Sequence, residues 1–252
     1  MCFSASMSLF SLTVGLAGAI MVYSLGAFPD QIFGICYGFV SLMQGIDYLL
    51  WNHPICDDYN RAVSIAGMVL NHLQPLVLGG AILTLNTGLP EINRWVIAFL
   101  LVLYVVVMGR YSWEFLTTKE KECTLKDRST HLFWQWNYMK HFQYAYGSYL
   151  LTMGGLWYVG TPLLMHWRPR TGTVHVQTKD PQLPVPHIWP TYGFICAFKS
   201  MVLFLTTRLF YGTEHVGGLW CFYSVFVPLI YYALRKSVLT MDYTFDDLKR
   251  PL

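Results

Sequence analysis

The chain has 252 residues, of which 54% are hydrophobic and 12% charged, about half the charged share of an ordinary soluble domain. That balance excludes a water-soluble fold, and a formal charge of +3 without a dense basic run gives no footprint for nucleic acid. No connection between the apolar stretches is long enough for a separate soluble domain, so residues 1–252 read as a single transmembrane domain.

A helix rising ~1.5 Å per residue needs about 20 mostly apolar residues to cross a hydrocarbon core ~30 Å thick. Seven stretches meet that length: 7–28, 30–52, 62–86, 95–116, 146–167, 190–211 and 217–235, followed by a tail at 236–252. The predicted fold is all-α, a polytopic seven-transmembrane-helix bundle. The opening MCFSAS lacks a basic n-region, so the first span is expected to be its own targeting signal rather than a cleaved peptide. Phe28-Pro29-Asp30 predicts a tight turn that makes the first two spans an antiparallel hairpin. Gly34, Gly38, Ser41 and Gly45 recur three or four residues apart on span two. A stripe of small residues lets another helix approach closely, which puts span two at the centre of the bundle.

Span three holds the densest polar run of any span, Asn71-His72-Leu73-Gln74-Pro75, in which the proline frees a backbone carbonyl one turn earlier. Between spans four and five comes TKEKECTLKDR and then HLFWQWNYMKHFQYAY. Aromatic rings with a polar edge favour the headgroup region, so residues 131–145 are expected to lie in the membrane interface as a helix. Pro181, Pro184 and Pro186 give the next connection an extended path. Short matches relate the two ends of the chain: Leu12-Thr13-Val14-Gly15 with Leu151-Thr152-Met153-Gly154, Tyr37-Gly38-Phe39 with Tyr192-Gly193-Phe194, and Pro75-Leu76 with Pro228-Leu229. They outline a 3+1+3 repeat.

With seven spans, the start of the chain and the second, fourth and sixth connections share one side of the membrane, here called the N-terminal face. Basic residues number eight on the opposite face against six on this one, a slight bias toward a cytoplasmic C-terminus. Cys56 and Cys123 both belong to the N-terminal face. They can bridge if that face is extracytoplasmic and stay reduced if it is cytosolic. The organelle is not fixed by any signal.

A charge inside the bilayer costs ~2.5–3.5 kcal/mol on insertion scales, so such residues face the interior and find partners. The candidates for such interior residues are Asp47, His72, Lys199 and Arg208. Asp47 lies 17 residues into span two and Arg208 lies 18 into span six, which runs the same way. Equal depth predicts that they pair. Gln44, Arg110, Glu114, Glu214 and His215 fall near the same level, whereas His72 and Lys199 fall near mid-bilayer as a second station. HExxH, HxxxH, CxxC and glycine-rich nucleotide loops do not occur, so no metal, cofactor or catalytic residue is assigned.

These residues predict a site for a small polar or ionic ligand in a transporter, channel or sensor, built from Asp47, Arg208, Gln44, His72, Lys199 and His215. One alternative is a structural subunit of a larger membrane complex, docking through the aromatic segment Leu132–Tyr146. The other is an integral-membrane enzyme acting on a lipid or thiol with Cys2, Asp47, His215 and Cys221, with or without a metal.

At MCFSAS, Met43–Trp51 (MQGIDYLLW) and Gly217–Ser224 (GGLWCFYS) the chain resembles a family of bacterial multi-span membrane proteins with relatives in eukaryotes and large algal viruses. Members begin Met-Cys-Phe/Trp-Ser and carry no assigned activity. The resemblance implies about seven helices and a joint role for Cys2, Ser4, Gln44, Asp47, Trp51, Trp220 and Cys221. Asp47 stands where that family would lead one to expect glutamate, one methylene shorter.

Overall fold

The computed structural model describes residues 4–118, 123–126, 132–160, 223–233 and 236, with only the backbone of Tyr138. Five helices follow one another: α1 (Ala5–Tyr23), α2 (Phe28–Asn52), α3 (Asp58–Leu85), α4 (Glu91–Thr117) and α5 (Phe142–Gly160). Between α4 and α5 lie two short strands, β1 (Thr124–Lys126) and β2 (Leu132–Trp134), and a 3-10 turn at Gln135–Tyr138. Helices α1 to α4 are each long and apolar enough to cross a bilayer. Of the seven expected spans, 190–211 lies wholly and 146–167 and 217–235 partly outside the described residues, and 227–233 is helical.

Each helix starts and stops for a local reason. Ser4 caps α1 by accepting the Met7 N–H at 3.2 Å. The turn into α2 comes earlier than the sequence predicts. Gly26 takes a φ of 84° that only glycine adopts cheaply. Pro29 is instead the opening residue type of α2, where its missing N–H costs nothing. Asp57 caps α3 through the Asn60 N–H at 3.0 Å, and that bond, with His53 beside it, holds the Asp57 carboxyl below the ordinary carboxylate value. Helix α3 runs unbroken through Pro75. At its far end Arg94 donates to the carbonyls of Leu83, Asn86, Thr87 and Leu89, satisfying the turn and opposing the negative end of the helix. Asn86 and Asn93 do the same for the last carbonyls of α5, bonding Gly160 O at 3.0 Å and Val159 O at 3.1 Å.

The small-residue stripe packs α2 against α1. A Cβ added at Gly34 would lie 2.7 Å from the backbone oxygen of Ala19, and one at Gly15 would lie 2.2 Å from Ser41 Oγ. Backbone cannot swing aside, so Gly34→Leu is expected to cost about 1–3 kcal/mol by overpacking. Gly80→Ala, where nothing lies within 4 Å, is the control and should leave stability unchanged or slightly raised, since alanine restricts the unfolded chain more than glycine does. Thermal unfolding in detergent micelles separates the two; equal midpoints would contradict the close approach.

Two buried clusters fill the bundle. Toward the far face, Phe33 stacks on Tyr37 and Tyr231 at 4.4 and 4.3 Å beside Ile82, Ile97 and Leu156. Toward the N-terminal face, Met43, Leu50, Met68, Tyr104 and Phe115 gather around Trp134 and Trp136. By contrast, α4 leaves Trp95, Phe99, Val102 and Val106 bare. An apolar face of that length is stable against acyl chains and not against water, in accord with an integral membrane protein.

The aromatic segment departs from the sequence expectation. The sequence predicts an interfacial helix over residues 131–145; within them β2 and the 3-10 turn are followed by the start of α5 at Phe142. β2 pairs antiparallel with β1, Thr124 opposite Trp134. Trp134, Trp136 and Met139 are buried. Indole burial in the bundle outweighs interfacial placement because both rings find packed partners there.

Candidate functional site

Asp47 sits one and a half turns before the end of α2, with 0% of its surface exposed. Gln44, three residues earlier and so on the same side of the helix, is equally buried. Neither carboxylate oxygen of Asp47 has a hydrogen-bond partner among the described residues. The indole N–H of Trp134 is turned toward the carboxylate, yet the indole nitrogen completes no hydrogen bond either. Buried polar groups are nearly always hydrogen-bonded in folded proteins, so a buried carboxyl without such a bond is a costly arrangement. Ser11 on α1 and Ser224 add two more buried hydroxyls without partners among the described residues.

Trp134 is stacked on Trp136, with ring centroids 5.3 Å apart. Trp136 in turn meets the His72 ring edge-on at 5.6 Å. The indole pair therefore stands between Asp47 and His72. His72 is well satisfied: its Nδ1 and Ser112 Oγ are 2.9 Å apart, and its backbone carbonyl accepts from the Tyr104 hydroxyl at 3.0 Å. Tyr111 donates to the carbonyl of Trp136 at 2.6 Å, fixing the turn that carries the indole. Two residues past His72 along α3, Gln74 accepts from the Tyr149 hydroxyl while its amide nitrogen has no acceptor among the described residues.

A polar clamp closes the layer from the N-terminal face. Asn60 donates to the carbonyls of His53 and Thr124, both at 3.0 Å, and accepts from the Thr124 N–H at 2.9 Å. Ser64 donates to Thr124 Oγ1 at 2.8 Å. Cys56 and Cys123 are joined in a disulfide with Cα atoms 5.6 Å apart. These bonds pin β1 to the start of α3, and β1 holds β2 and Trp134 over Asp47. Outside the clamp, the Lys126 ammonium lies 5.5 Å from the Trp51 ring.

Of the residues singled out in the sequence, Asp47 and Gln44 are brought together and His72 is linked to them through the tryptophans. Arg208, Lys199 and His215 lie outside the described residues, as do Cys2, Glu214, Trp220 and Cys221. Ser4 serves as a helix cap. Arg110 and Glu114 lie apart from the Asp47 layer, in a groove between α4 and α5. Within the aromatic segment expected as a docking face, Trp134, Trp136 and Met139 are buried in the protein's own core, while Tyr144 is exposed. Among the described residues no three His, Cys, Asp or Glu side chains come together as a metal site.

The sequence reading missed Trp134 and Trp136. Their signal is the period-two spacing Leu132, Trp134, Trp136, which fits a strand edge better than a helix. It also passed over Asp30 as part of a turn. Asp30 is buried in the first turn of α2, where the helix dipole favours a carboxylate, and it accepts from the Tyr231 hydroxyl. No family model, curated protein or solved structure matches the chain.

Proposed function

We propose that the chain is a multi-pass membrane protein whose Asp47 layer binds a small polar or ionic ligand, as a transporter, channel or sensor. The observation that carries this reading is a wholly buried Asp47 carboxylate with no hydrogen-bond partner among the described residues. An intramembrane acid of this kind costs stability and is retained where it works. Arg208 is its proposed counter-ion, and His72 with Lys199 the deeper station, within a seven-helix bundle of 3+1+3 design. The disulfide at the N-terminal face supports an oxidising compartment on that side and hence a cytoplasmic C-terminus after seven spans. Asp47 and Gln44 also fall in one of the three motifs behind the family resemblance, which remains part of this proposal.

The test uses the full chain reconstituted in proteoliposomes on a solid-supported membrane, with concentration jumps of Na⁺, K⁺, H⁺ and ethanolammonium. Wild type is expected to give a charge displacement with at least one of them, and Asp47→Asn to abolish it while unfolding at an unchanged or higher temperature. Displacement that persists in Asp47→Asn, or is absent from wild type with every probe, refutes the reading. So does a fold lost in Asp47→Asn and in Arg208→Gln but recovered when both are combined, which would make the pair structural.

A further inference from the structure

Apart from the Asp47 layer, α4 and the start of α5 form a groove of about 380 Å³ lined by Val106, Val107, Arg110, Glu114, His141 and Tyr144. Its volume falls within the roughly 300–1,000 Å³ of ordinary small-molecule sites. The two ends differ in chemistry. Val106 and Val107 lie about a turn nearer the bilayer centre than Arg110, and Glu114 lies a further turn toward the N-terminal face. Below the groove, Val102 and Phe99 continue an exposed apolar track down α4. At the height of the charges, Trp113 and Tyr144 are 69% and 72% exposed, the placement of aromatic side chains at a headgroup boundary.

Three polar side chains face this groove with no ion pair among the described residues: Arg110, Glu114 and His141. Arg110 and Glu114 are four apart on one helix, so their backbone positions differ by ~6 Å along the axis. They stay unpaired where a surface helix would let them join. His141 enters α5 with φ 72°, a conformation that disfavours a non-glycine residue and recurs where a side chain is held for a task.

We infer that this groove binds the headgroup of a zwitterionic phospholipid. The Arg110 guanidinium takes the phosphate through paired N–H donors, the Glu114 carboxylate takes the ammonium, and His141 bonds a phosphate or ester oxygen. One acyl chain then lies along Val106 and Val102. A free anion would gain Arg110 but meet Glu114, and an anionic lipid would meet the same repulsion. The opposed charges above an apolar track select a lipid that carries both signs. The inference uses no residue of the proposed ligand layer, so either can fail alone.

Native mass spectrometry of the full-length protein in detergent tests it, with 1-palmitoyl-2-oleoyl phosphatidylethanolamine, the matching phosphatidylglycerol, glycerophosphoethanolamine and inorganic phosphate as probes. Wild type is expected to retain one phosphatidylethanolamine in preference to phosphatidylglycerol and to hold neither soluble probe. Arg110→Gln should weaken retention of both lipids by about tenfold, the loss of one charge-assisted contact. Glu114→Gln should keep lipid binding and remove the preference between the two. Retention unchanged in both variants, no preference in wild type, or equal binding of a soluble probe overturns the inference. Should Arg110→Gln not fold, Glu114→Gln carries the test alone, since a role in folding would not exchange one lipid preference for another.

Discussion

Asn60→Leu is expected to lower the unfolding free energy by about 3 kcal/mol, a large effect for a residue that touches no ligand. Asn60 is fully buried and its one amide serves both sides of the clamp. It gives its two N–H bonds to His53 O and Thr124 O and accepts the Thr124 N–H. Leucine has nearly the same size and none of these groups. Three backbone polar atoms would then be left without partners in a place water reaches poorly, each costing about 1–3 kcal/mol before relaxation. Titration with a denaturing detergent in mixed micelles gives the free energy, and hydrogen exchange at Thr124–Lys126 shows where the loss falls. Unchanged exchange at β1 would mean that Asn60 does not hold the strand.

Serine at both Cys56 and Cys123 is expected to cost up to about 4 kcal/mol, the loop-closure value for a crosslink of this span. The two cysteines are 67 residues apart in sequence, so the bridge closes a loop containing α3 and α4. Removing it frees the unfolded chain and also leaves β1 tied to the start of α3 by the Asn60 and Ser64 bonds alone among the described residues. The bridge and Asn60 restrain the same strand, hence their losses should not add. Combined with Asn60→Leu, the serine variant should lose less than the sum of the two, by more than the ~0.5 kcal/mol within which independent sites add. Strict additivity would show two unrelated features rather than one clamp over Asp47.

Much of the fold is legible in the sequence because a bilayer demands it. Each of α1 to α4 shows as an apolar run of spanning length, and the order of polar residues along each run sets their depth. The glycines of α2 announce a close neighbour, and α1 is that neighbour at Gly34 and Gly15. Asp47 and Gln44 are legible as interior residues, since charge has no other cheap place in an apolar run. His72 shows as a polar helix residue, but its partners, Ser112 and the carbonyl-bonding Tyr104, lie on α4 at distances no helix periodicity encodes.

The surroundings of Asp47 were decided elsewhere. Trp134 and Trp136 come from a connection whose composition suits a membrane surface as well as a protein core, because an amphipathic ring gains from either. What brings them inward is the pairing of β1 with β2, the Asn60 clamp and the disulfide, all contacts between residues distant in the chain. Apolar length and the cost of charge in lipid are local properties, so the amino-acid sequence alone determines that helices form and which side chains must hide. Which groups meet in the hidden space depends on long-range packing and chain closure, and only the tertiary structure decides that.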